Sequence, residues 1–156
     1  MANALDGSGI ELAIVGRGWP HLNGWKVVDD FVPESRLAKE IDAASVVLLP
    51  YTRYYQSGIA LRALEQGRAT VGFNTPFLES IMTGKFSGCA VDGALGYAGI
   101  VSAIMTYIDD NESASDAFDN YRGEVVNDWR NWAVRNHYIP SPGPRDGARK
   151  IEVRRE

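Results

Sequence analysis

The chain has little of the residue types that build metal centres and disulfides. It carries one cysteine, Cys89, and two histidines, His21 and His137. A lone cysteine forms no internal disulfide, which fits a reducing cytoplasm. The histidines lie far apart and make no metal-ligand spacing with Cys89, so no metal site is expected. Cys89, near the last strand, reads as a small core residue. No apolar run approaches the ~18 residues of a membrane span. The start, MANALDGSGIELAIVG, has no basic flank and no long apolar stretch, so no secretory signal is read. Basic residues are not in excess: the formal net charge is −4, which argues against nucleic-acid binding. A GxxxxGK[ST] loop is missing, and Gly16-Arg17-Gly18 is followed by Trp-Pro rather than a helix start. Phosphate-loop nucleotidases and conventional dinucleotide enzymes are thereby disfavoured.

What is present is an ordinary globular composition over 156 residues, 45% hydrophobic and 23% charged. This length makes one domain and buries a core unaided. Ile10 to Val15 reads as a buried strand ending at Gly16, followed by a Gly/Pro loop containing His21. That histidine either meets a substrate or is simply solvated. Trp25 to Val28 is a second strand. Leu37, Ile41 and Ala44 fall on one face of a helix, with Pro33 in its first turn. Ser45 to Leu49 is continuously apolar and β-branched, which predicts a strand in the middle of a parallel sheet. Ser57 to Gln66 reads as a helix, N-capped by Ser57 and stopped by Gly67. Then come a strand (Ala69 to Phe73), a short helix (Phe77 to Met82) and a weak strand (Cys89 to Val91). Two longer helices follow, Ala94 to Asp110 and Ser113 to His137.

This alternation predicts an α/β, Rossmann-like three-layer αβα domain with a mostly parallel sheet. The domain spans 10–138, between a flexible start (1–9) and a Pro-rich, charged tail (139–156). Phe118, Tyr121, Trp129 and Trp132 form an apolar stripe, expected to pack on the domain or else to dock a partner. Seven acidic residues between Asp109 and Asp128, against Arg122 alone, read as a solvated face. From Arg145 the tail carries five basic and three acidic residues. It reads as a plain soluble tail, with weak contact to an anionic membrane as the alternative.

In open α/β sheets, ligands bind beyond the carboxyl ends of the strands. The loop PYTRYYQSG leads from the best strand into a helix N-terminus. Free N–H groups there favour an anion, and Gly58 admits close approach. Ser57 either caps the helix or also meets a phosphate.

The stretches IELAIVGRG, DDFVPESRLAKEIDAASVVLLPY, QSGIALRALEQGRATVGFN and PFLESIMTGKFSGCAV occur in the order and spacing found in one family. From Ile10 to Tyr138 the chain resembles the C-terminal, nucleotide-sugar-binding domain of family-4 (group 1) glycosyltransferases, which have the GT-B fold. The resemblance implies a UDP- or GDP-linked sugar as donor and a hexosyltransferase reaction needing no cofactor. The diphosphate would meet Ser57, Gly58 and Ile59. The base and sugar would lie near Gly16, Arg17, Phe31, Val32, Tyr51, Arg53 and Gln56. The catalytic residues are not identified.

The chain departs from the family in two ways. Tyr55 or Gln56 stands where the first of a pair of glutamates is usual, and Gln56 is the polar residue at hand. Arg62 or Ala63 stands where the second holds the ribose hydroxyls. Glu65 comes two or three positions late, a turn of about 200–300° on a helix. The family's N-terminal acceptor domain, with the first strand and helix of the C-terminal domain, is also not represented. The expectation is a donor-binding half, inactive alone and paired with an acceptor domain or subunit. The alternative is a non-catalytic nucleotide- or protein-binding module.

Overall fold

The computed structural model describes residue 5 and residues 7–109 and 113–140. Most of the expected N-terminal arm, the end of the Ala94 to Asp110 helix and the tail beyond Pro140 lie outside these. The chain divides into two units, Met1–Tyr121 and Arg122–Glu156.

The first unit is an α/β fold of Rossmann-like type in which every paired strand is parallel. Its strands are β1 (Ala13–Val15), β2 (Lys26–Val28), β3 (Val46–Leu49), β4 (Ala69–Phe73) and β5 (Ala90–Val91). The helices are α1 (Glu34–Ala43), α2 (Gly58–Glu65), α3 (Pro76–Ile81) and α4 (Gly96–Tyr107), and α5 (Ser115–Arg135) runs on into the second unit. Two 3₁₀ segments flank β5, Gly84–Cys89 and Gly93–Leu95.

The strands fall into two sheets, β1-β2 and β3-β4-β5. The expectation that Ser45 to Leu49 lies mid-sheet is therefore corrected: β3 is an edge strand and β4 is central. All five β4 residues are buried, whereas only Leu49 of β3 is. β4 is flanked on both edges and takes the packing of α2 and α4, which is what buries it on every side. Gly72 serves this closeness. A Cβ there would lie 3.0 Å from the Leu49 carbonyl oxygen and 3.3 Å from Leu78 Cδ2.

The element ends follow local chemistry. The Thr75 hydroxyl accepts from Leu78 N and caps α3 one residue before Pro76. Pro33 is the N-cap of α1 rather than a first-turn residue. Ala94 and Leu95 belong to a 3₁₀ turn, so α4 begins at Gly96. The core gathers Leu64, Val71, Leu78, Ile81, Met82, Cys89 and Ile100, each essentially fully buried. Cys89 is thus a core residue, and Phe118 and Tyr121 pack on the edge of this cluster.

In the second unit, α5 ends in a Schellman turn. His137 takes the left-handed conformation (φ 62°), Tyr138 N donates to Ala133 O, and His137 N donates to Val134 O. The turn lays the Tyr138 ring flat on Trp132. Trp129 and Trp132 are exposed.

Candidate functional site

The expected donor residues lie at the carboxyl ends of the parallel strands, in two groups. The first group follows β3. Ser57 adopts extended backbone and its hydroxyl accepts from Ala60 N at 3.2 Å, so it caps α2 as expected. Gly58 is exposed, and a Cβ on it would meet nothing within 4 Å. Ile59 is partly exposed beside it, while Ala60 is fully buried. In the first turn of α2, Ala60 N is taken by the Ser57 hydroxyl and Leu61 N by the Ser57 carbonyl, while Gly58 and Ile59 lie on the exposed side and Ala60 anchors the turn in the core. Tyr51, Arg53 and Gln56 are exposed in the preceding loop, and among the described residues Arg53 has no ion-pair partner.

Tyr54 holds that loop in place, a role the sequence reading missed. Its hydroxyl donates to the Phe73 carbonyl at 3.3 Å, at the carboxyl end of β4, and its ring meets Phe77 edge-on at 6.2 Å. Burial raises the Tyr54 phenol pKa, and a hydrogen bond with Thr75 partly offsets this. Among three tyrosines in PYTRYY, only the half-buried one acts as the anchor; Tyr55 is almost wholly exposed.

The second group follows β1 and β2. Gly16 N donates to Val28 O, and Gly18 N donates to the Asp29 carboxylate at 2.6 Å. These bonds join the two loops and bring Arg17 over the Phe31 ring, 6.0 Å from its centroid. Phe31 is otherwise exposed and Val32 half-buried. Arg17 and Phe31 thus meet, with Gly16 and Val32 beside them in the two loops.

Between the groups runs an ion pair, Arg62 on the second turn of α2 with Glu34 at the start of α1. Arg62 is therefore engaged, Ala63 is fully buried, and Glu65 is exposed at another position around α2. No carboxylate of α2 stands at the expected ribose position. His21 is exposed in its loop.

A separate hollow of about 440 Å³ is lined by Thr83, Lys85, Phe86, Asp116 and Asn120 and contains none of these residues. Among the described residues, no three His, Cys, Asp or Glu side chains group to hold a metal ion. No family model, no curated protein and no solved structure matches this chain.

Proposed function

We propose that the chain is the donor-binding half of a glycosyltransferase, taking a nucleotide-diphosphate sugar, UDP- or GDP-linked. The observation that carries this is the open first turn of α2. A hydroxyl cap and an exposed Gly58 backbone lie beyond the carboxyl end of a parallel strand, where an anionic diphosphate is favoured. The Arg17–Phe31 cluster offers a flat, cationic surface for the base and sugar end. The transfer reaction needs a cleft closed by an acceptor domain or subunit, so this half binds donor without turning it over. The reading also places the protein in the cytoplasm, where such donors are made available.

A second reading has one observation in its favour. The buried Ala63 and the engaged Arg62 leave no α2 carboxylate for a ribose, as suits a non-catalytic module that binds a nucleotide or a protein.

Thermal unfolding with UDP, GDP, ADP and their sugar conjugates tests the donor reading. A ligand at about 100 times its Kd adds roughly 2.7 kcal/mol of stability. A selective upward shift with one diphosphate sugar, lost in Gly58→Trp, is the expected result. Because nothing packs within 4 Å of a Cβ at Gly58, that variant keeps the unliganded melting temperature. No shift from a cooperatively folded sample would remove the donor reading.

A further inference from the structure

The C-terminal part of α5 exposes a set of large apolar side chains that the donor reading does not use. Val126, Trp129, Trp132, Tyr138 and Ile139 are all more than two-fifths exposed. Three of them contact one another. Trp129 meets Trp132 edge-on at 5.6 Å, and Trp132 stacks on Tyr138 at 5.3 Å with 13° between the rings. The Schellman turn at His137 folds Tyr138 back into this group. Val126, Trp129 and Ala133 recur at three- and four-residue spacing, so one side of the helix carries them.

Exposed Asp128 lies between Val126 and Trp129, and the acidic residues of α5 stop there. From Trp129 to Pro140 there is no acidic residue, and Arg130 and Arg135 are both exposed. From Trp129 to the end the sequence holds seven basic and three acidic residues, and before it nine basic and seventeen acidic. An acidic sequence therefore turns basic from Trp129 on, and among the described residues two exposed arginines, Arg130 and Arg135, accompany the Trp/Trp/Tyr cluster. Amphipathic indole and phenol rings settle at the headgroup level of a bilayer. Arginines beside them are drawn to anionic lipid. The same charge pattern disfavours a second copy of this acidic chain's basic end meeting its own like.

We propose that this end of α5, through Trp129, Trp132, Tyr138, Arg130 and Arg135, docks the protein on an anionic lipid surface. It lies on the surface rather than across it: no helix among the described residues is long and apolar enough to cross a membrane. The proposal is independent of the donor reading.

The test is co-sedimentation of the full chain with vesicles of phosphatidylcholine alone and of phosphatidylcholine mixed with phosphatidylglycerol. Quenching of tryptophan emission by brominated lipid is read in parallel. Binding is expected on the mixed vesicles only, falling as salt is raised. Arg130→Gln and Arg135→Gln should each weaken it by about 5-fold. Trp129→Ala/Trp132→Ala should abolish both sedimentation and quenching while leaving the melting temperature of the chain in place. Three results overturn the proposal: no binding to mixed vesicles, equal binding to both kinds, or binding untouched by the tryptophan and arginine variants. Sedimentation equilibrium on the same samples covers the protein alternative. A dimer that dissociates in the tryptophan double variant would assign the surface to a second copy instead.

Discussion

At Gly67 the backbone is left-handed, with φ of 73°, and a Cβ there would run into the Ser113 hydroxyl. Its carbonyl also accepts from Ala114 N, tying the end of α2 to the start of α5. Gly67→Ala should therefore cost about 1–3 kcal/mol, seen as a lower denaturant midpoint with an unchanged slope. Tyr54 makes a different prediction. Its folded phenol ionises above its ordinary 10.0 because burial opposes the charge. The unfolded chain gives up this proton first as pH rises. The stabilisation is complete below the ordinary value and is lost as pH climbs from there through the raised folded value. Tyr54→Phe should lose about 1 kcal/mol near neutrality with its hydrogen bond, yet show a flatter alkaline limb in urea titrations. Ser57 and Gly67 were legible in the sequence because a cap hydroxyl and a left-handed stop are properties of one residue. Tyr54 and the Arg17–Phe31 pair were not, because tertiary packing selects one tyrosine of three and sheet pairing brings residues 14 apart into contact.

Among the elements, strand positions and the cap-to-stop span of α2 were read well from apolar runs and punctuation. Sheet order was not. SVVLL and ATVGF both look like buried parallel strands, and the pattern cannot say which of them gains two neighbours. The central place fell to ATVGF, where Gly72 permits the close approach of Leu49 and Leu78. The division into two sheets is likewise a matter of pairing, since β2 and β3 each end their own sheet. This arrangement predicts unequal protection. Amide hydrogens of β4, which is paired with β3 from Ala69 to Gly72 and with β5 at Gly72 and Phe73 and is wholly buried, should exchange only with global unfolding. Those of β1 and β2, which supply no residue to the core cluster, should exchange through a cheaper local opening. Native-state exchange at low denaturant distinguishes the two classes.

For the molecule as a whole, the sequence reading expected one domain from Ile10 to Tyr138, with the aromatic stripe of the last helix packed on it or else docking a partner. That stripe divides instead. Phe118 and Tyr121 pack against the core cluster, whereas Trp129 and Trp132 are exposed. Helical spacing gave all four the same appearance; where the packing stops depends on what lies opposite, which one element does not encode. Every described member of the core cluster lies at or before Tyr121. A chain ending at Tyr121 should therefore melt within a few degrees of the full one, in a single transition followed by circular dichroism.

The placement of that cluster has a consequence for the order in which the protein can be assembled. Its buried members begin at Leu49 and end at Ala117. Synthesis proceeds from the N-terminus, so the ribosome delivers β1, β2 and α1 before any partner for the core exists. Parallel pairing makes the wait longer, because β4 acquires its second neighbour only when Ala90 and Val91 have emerged. The half that carries the core is thus synthesised last, after the loops near Gly16 and Phe31.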